Sequence, residues 1–242
     1  MSNFEIHSLP VLTDNYIHVV QVDSSRAVVI DPAVSDPVEE FLARKSWQLT
    51  HILITHHHSD HTSGVQGLKA AYPNCKVIGF TNDAHRLPQL TNQVSEGDHI
   101  IIGQQAFDVW HLPGHTTGHI AYISKEEKVA FTGDVLFGMG CGRVFEGTYD
   151  QMFHSLQRLK SLDPQTKIYC AHEYTINNGG FAAQAIPENK TVHERLKKSY
   201  LLRQKGLFTV PLLLEDELKT NPFLLAKSLA DFSRYRDARN KF

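Results

Sequence analysis

Ile52-Leu53-Ile54-Thr55-His56-His57-His58-Ser59-Asp60-His61-Thr62 packs four histidines and an aspartate into six residues behind a short apolar run. The run His51–Ile54 predicts a strand, and Ser63–Tyr72, ahead of Pro73, predicts a helix. The ligand-type residues therefore fall where a strand hands over to a helix, the place where α/β proteins gather functional groups. His56 and His58 are two apart, so in extended backbone their side chains point the same way. Asp60 and His61 then enter a tight turn and can diverge toward an adjacent centre. Nitrogen and oxygen donors in this arrangement suit zinc or a similar first-row ion.

Three further segments repeat the pattern of a ligand just beyond a strand. Leu112-Pro-Gly-His115-Thr-Thr-Gly-His119 follows Phe107–Leu112, Phe131-Thr-Gly-Asp134-Val-Leu-Phe follows Lys128–Phe131, and Tyr169-Cys-Ala-His172-Glu-Tyr follows Lys167–Cys170. Adding His115, Asp134 and His172 to His56, His58, Asp60 and His61 gives five histidines and two aspartates. That is enough for two metals if one carboxylate bridges them. Further strands are predicted at Tyr16–Val22, Ala27–Ile30 and His119–Ile123, and further helices at Pro37–Lys45 and Tyr149–Ser161, a mixed α/β texture. Beyond Glu173 the texture turns helical, with Asn189–Lys205 and a helix from Ala226 to the end, and Leu207–Leu214 as the one strand-like run. The expected organisation is a first domain over 1–173 and a helical module over 174–242 that packs on it.

Composition narrows the rest. At 41% hydrophobic over 242 residues the chain can build a sizeable core. Lys plus Arg is 24 against 26 for Asp plus Glu, so there is no basic field to hold nucleic acid or an anionic membrane. No apolar run approaches a membrane span, and the N-terminus lacks the charged and apolar regions of a secretory signal, so a cytoplasmic protein is expected. The three cysteines, Cys75, Cys141 and Cys170, are isolated, which argues against a disulfide framework or a thiolate zinc site. Cys141 is read as a packing residue. His7, His18, His51, His85, His99, His154 and His193 read as ordinary histidines, and His111 stands outside the ligand set. No sustained heptad pattern demands association, so a monomer is expected.

The T-H-x-H-x-D-H motif at Thr55–His61, P-G-H-T-x-G-H at Pro113–His119, T-G-D-x-L-F at Thr132–Phe137 and H-E-Y-T at His172–Thr175 resemble the metallo-β-lactamase superfamily. The resemblance implies an α/β fold, the αββα sandwich, here with a C-terminal helical domain. It implies that His56, His58 and His115 hold a first metal, that Asp60, His61 and His172 hold a second, and that Asp134 bridges both. His57, His119 and Asp31 would then support the ligands without bonding to metal. Zinc is expected, and iron or manganese would suit the same donors.

The superfamily hosts many reactions, so the substrate must be read elsewhere. Gly140–Thr148, His172–Asn178 and Asn221–Leu224 are similar to the glyoxalase II, or hydroxyacylglutathione hydrolase, family, and the resemblance covers nearly the whole chain. It implies hydrolysis of S-(2-hydroxyacyl)glutathione thioesters, with S-D-lactoylglutathione giving D-lactate and glutathione as the second step of methylglyoxal detoxification. A hydroxide bridging two metals would be the nucleophile, with Asp60 and Asp134 as the catalytic carboxylates. The substrate carries two carboxylates, and the family pattern assigns Arg143, Tyr174, Arg236 and Arg239 to it. Arg236 and Arg239 are three apart, which puts them on one helix face. Phe145 stands where the family often has tyrosine, which implies weaker glutathione binding. Two alternatives are a mononuclear-iron glutathione persulfide dioxygenase of the same fold and a non-catalytic metal- or thiol-binding module. The complete set of seven ligands favours the dinuclear hydrolase.

Overall fold

A computed structural model of the chain describes residues 4–242. The fold divides into two compact units, one made of the chain up to His111 with Gly118–Glu127, the other of Leu112–Thr117 with Lys128–Phe242.

The first unit is built on a six-stranded sheet whose order follows the sequence: β1 (Glu5–Val11), β2 (Asn15–Gln21), β3 (Arg26–Ile30), β4 (Gln48–Leu53), β5 (Lys76–Phe80) and β6 (Asn92–Val94). β1 to β3 are antiparallel, as short turns permit, whereas β3 to β6 run parallel and need crossovers. The crossover from β3 to β4 is α1 (Asp36–Lys45), which buries Val38, Phe41 and Leu42. Beneath it lies a cluster of fully buried Val19, Val29, Ile52, Ile54 and Val77. The helix expected over Ser63–Tyr72 is α3 (Val65–Ala71) in the crossover from β4 to β5, and a separate short helix, α2 (Ser59–Thr62), precedes it. Between the two lies Gly64, whose N–H donates to the Pro32 carbonyl at 2.8 Å. A Cβ at Gly64 would lie 2.5 Å from the Val34 carbonyl carbon, so only glycine permits this approach of two backbones.

The same unit carries an antiparallel run of β7 (His99–Ile102), β8 (Gln105–His111) and β9 (Ile120–Ser124). Tyr122 of β9, fully buried, aims its hydroxyl at the carbonyls of Ile54 and Ile78 at 3.0 and 3.2 Å. Burial pushes that phenol well above its ordinary pKa, so it stays a neutral donor across the core. His111 stacks on Phe80, with ring centroids 4.6 Å apart.

In the second unit β10 (Val129–Gly133) runs parallel to β13 (Lys167–Cys170), and β11 (Leu136–Phe137) pairs with β12 (Gly140–Cys141) as a two-stranded hairpin. α4 (Tyr149–Lys160) opens on a capping box in which Thr148 accepts from Gln151 N and the Gln151 side chain accepts from Thr148 N. The helices α5 (Thr175–Ala185), α6 (Lys190–Gln204), α7 (Leu214–Thr220), α8 (Pro222–Leu225) and α9 (Leu229–Lys241) complete it. Of the strand expected over Leu207–Leu214, only β14 (Leu212–Leu213) pairs, against Lys167 and Ile168. Upstream, Thr209 gives both its N–H and its hydroxyl to the Glu173 carboxylate, and Pro211 has no N–H to offer. The last helix starts at Leu229, three residues later than expected, because Ser228 is its cap and accepts from Asp231 N. Among the described residues no helix is long and apolar enough to cross a membrane.

Candidate metal centre

In the first unit the ligand-type residues lie just past the end of β4, and their orientation begins with Asp31. This residue follows β3 at φ 50°, in the left-handed region, and is 97% buried. Its Oδ1 accepts the Thr55 N–H at 2.7 Å, and its Oδ2 accepts both the Thr55 hydroxyl at 2.6 Å and His61 Nδ1–H at 3.0 Å. Having given its proton to Asp31, the Thr55 oxygen accepts from His56 Nδ1 at 3.0 Å. One buried carboxylate thus fixes the tautomer of two histidines, leaving Nε2 of each with its lone pair. His56 Nε2 lies 3.0 Å from His58 Nδ1, and His61 Nε2 lies 3.6 Å from Asp60 Oδ2. The ring of His119 stacks on His56 at 4.7 Å.

Two supports of this cluster are invisible in the sequence motifs. Asn15 Nδ2 donates to both the carbonyl oxygen and Oδ2 of Asp60, at 3.2 and 3.1 Å, and so holds the carboxylate in place. His57 packs edge-on to His58 and reaches Asp83, its Nδ1 3.2 Å from Asp83 Oδ2, while Arg86 Nε donates to the other oxygen at 2.7 Å. An Asn at the start of β2 and an Asp in the turn after β5 carry no local signature of these roles.

In the second unit the geometry follows from the pairing of β10 with β13. Adjacent parallel strands bring their C-terminal ends together, so Asp134 and His172, each just past a strand end, stand side by side. Asp134 Oδ1 lies 3.4 Å from His172 Nε2 and Asp134 Oδ2 lies 3.3 Å from His115 Nε2. His115 Nδ1–H donates to the Arg143 carbonyl at 2.8 Å, which leaves its Nε2 as the lone-pair nitrogen. His172 stacks on Tyr174 with ring centroids 4.7 Å apart and planes nearly parallel. Two ligands on one tetrahedral zinc, at about 2.0 Å each, stand roughly 3.3 Å apart. The separations within both clusters fit that spacing, and one carboxylate that offers an oxygen to each of two imidazoles fits a bridging ligand.

Beside Asp134 and His115 a cavity of about 360 Å³ is lined by Arg143, Phe145, Tyr174, Arg236 and Arg239. The structure thus gathers all five residues read from sequence as substrate contacts. Arg239 is held by Asn177 and Asn178, whose side-chain oxygens accept from its Nη2 at 2.9 and 3.2 Å. Burial, then the charges of Arg236 and Arg143, lower the Arg239 pKa, so three cations share a space that an anionic ligand would relieve. Arg236 is more committed than sequence suggests. It is 96% buried, with Nη1 donating to the Cys141 carbonyl at 3.0 Å and Nε to Asn240 Oδ1 at 3.1 Å. Phe145 is exposed, edge-on to His115, with the Arg143 guanidinium 5.8 Å from its ring centre. Cys141 is buried and burial pushes its thiol pKa up, consistent with a packing role.

The fold and these donor sets define the class. Residues 12–172 match the model of the metallo-β-lactamase superfamily, and residues 173–241 match that of the hydroxyacylglutathione hydrolase C-terminus. Hydroxyacylglutathione hydrolase of Rhodospirillum rubrum is 48% identical over 233 residues, covering 96% of this chain and 90% of its own. That of Methylococcus capsulatus is 44% identical over 225 residues, covering 93% and 88%. Among solved structures, ETHE1 from Myxococcus xanthus matches 96% of this chain and 90% of its own with a TM-score of 0.74 and 27% identity. The chain belongs to the metallo-β-lactamase superfamily and, within it, to the hydroxyacylglutathione hydrolase family. The fold expected from sequence, the α/β metallo-β-lactamase fold with a C-terminal helical part, is the fold of this chain.

Because Asp31 sets the tautomers of His56 and His61, Asp31→Asn should weaken metal binding about 10- to 100-fold while leaving every proposed ligand in place. Competition of the purified protein against a chromophoric chelator checks this. Unchanged affinity would show that the two rings are fixed by other contacts.

Proposed function

We propose that the two ligand sets work as one dinuclear centre that hydrolyses S-(2-hydroxyacyl)glutathione thioesters such as S-D-lactoylglutathione. The observation that carries this reading is Asp134, with one oxygen toward His115 and one toward His172, at the edge of a cavity bearing three arginines. In this reading His56, His58 and His115 hold one divalent ion, Asp60, His61 and His172 hold the other, and Asp134 belongs to both. Zinc is the proposed ion, by its fit to imidazole and carboxylate donors. Bound there, the two ions supply hydroxide near neutral pH and polarise the thioester carbonyl. We place the catalytic part in residues 1–173 and the substrate-binding helical part in 174–242, in a monomeric cytoplasmic enzyme.

The chain's own residues do the rest. Arg143, Arg236 and Arg239 draw the two carboxylates of the glutathione moiety into the cavity, where partial burial strengthens each charge pair. The Tyr174 hydroxyl donates to the peptide backbone of the ligand. Asp60, held by Asn15, orients the attacking water. The leaving group is a thiolate, stable enough in water that no strong general acid is required. Phe145 supplies an apolar wall without a hydroxyl, which costs the substrate one hydrogen bond.

Purified without added metal, the protein should carry two divalent ions per chain and cleave S-D-lactoylglutathione without consuming oxygen. A single iron, with oxygen uptake on glutathione persulfide, would overturn the reading. Arg239 contacts substrate and no reacting atom, so Arg239→Ala should raise KM about tenfold with kcat within a factor of two, measured by steady-state thiol release. A fall in kcat at unchanged KM would remove Arg239 from substrate binding.

A further inference from the structure

The hairpin β11–β12 leads from Asp134 to Arg143, and its turn is not one the chain adopts unaided. Met139, a fully buried non-glycine residue, sits there at φ 53°. Such a residue persists where its surroundings over-determine the backbone. Here the surroundings come from the helical C-terminal segment. Glu217 of α7, with no exposed surface, accepts the Met139 N–H on Oε2 at 2.8 Å and is paired through Oε1 with Arg195 of α6. Asn221, also fully buried, donates through Nδ2 to the Gly140 carbonyl at 2.9 Å, the Phe137 carbonyl at 3.2 Å and Glu217 Oε2 at 3.0 Å. A buried carboxylate is expensive to keep, and no chemistry assigned to the cavity uses this one.

What this turn feeds is the metal side of the cavity. Past it, the Gly142 N–H returns to the Val135 carbonyl at 3.2 Å, and the next carbonyl, that of Arg143, accepts His115 Nδ1–H at 2.8 Å. That bond leaves His115 Nε2 toward Asp134. We propose that Glu217 and Asn221 are positioning residues for the His115–Asp134 pair, acting through the Phe137–Cys141 turn they clamp. The inference rests on the assignment of His115 and Asp134 as metal ligands. It gives the helical C-terminal part a second task besides substrate binding.

A merely structural role predicts something different, since Asn221 Oδ1 also caps α8 by accepting from Phe223 N. Two variants of the full-length chain separate the roles. Glu217→Gln keeps an oxygen for Arg195 but turns the acceptor of Met139 N–H into a donor. Asn221→Ser keeps a capping hydroxyl but cannot reach the turn. The readouts are the long-range proton–nitrogen NMR signal of His115 Nδ1–H, recorded with and without zinc, the rate of zinc transfer to a chelator, and the unfolding midpoint. Both variants should shift the His115 signal upfield, speed its exchange with water and release zinc at least tenfold faster than wild type. Variants that melt earlier but keep the His115 signal and the zinc release rate of wild type would overturn the proposal. If one variant does not fold, the other decides. Neither main readout involves thioester turnover, so the clamp can fail while the hydrolase reading stands. A wild-type chain that binds no zinc would sink the metal reading, and the metal-free His115 signal would still test the clamp.

Discussion

One carboxylate with an oxygen toward each of two imidazoles is the constraint around which the rest of the second unit is arranged. Asp134 can face His115 and His172 together only if β10 and β13 are parallel neighbours and if the loop carrying His115 is pinned from outside. The pinning is done by α4: Gly114, at φ 149°, packs directly against Met152, and the Ser155 hydroxyl donates to the Pro113 carbonyl at 2.7 Å. The Arg143 carbonyl then fixes which His115 nitrogen carries hydrogen. Secondary structure, capping and one backbone acceptor thus converge on the placement of a single pair of lone pairs.

The first unit solves the same problem with a side chain. Asp31 replaces the backbone acceptor, and through Thr55 it governs His56 as well as His61. In both units the charge and the ring nitrogens are buried together, an arrangement that is costly unless every group has a partner. A divalent ion is a partner that repays a carboxylate and imidazole lone pairs buried together, because it accepts from all its ligands at once. The cavity wall beside Asp134 carries three guanidiniums, a complement for an anionic ligand, as the proposed function requires.

The four ligand segments were legible because each is local. A histidine or aspartate one to three residues past a β-branched run is a statement about short-range geometry, and the alternation of His56 and His58 needs only extended backbone. The strands Lys167–Cys170 and Ala27–Ile30 were equally plain. What escaped depends on partners far away in the chain. Asn15 meets Asp60 across 45 residues and Glu217 meets Met139 across 78, and neither pair has a signature until the fold is known. Short or polar strands such as Asn92–Val94 escaped for lack of periodicity, and the helix expected from Ser63 starts only at Val65, after a glycine whose reason lies in Pro32 and Val34. Arg236 is assigned to the substrate by the family resemblance, and only the structure shows how much of it is spent on the Cys141 carbonyl.

The most direct test of the dinuclear account is anomalous diffraction from crystals of the protein grown with zinc, with data on both sides of the zinc edge. Two anomalous peaks are expected, both within bonding distance of the Asp134 carboxylate, with His115 Nε2 on one and His172 Nε2 on the other. A single peak, or two peaks with Asp134 bound to only one of them, would contradict it.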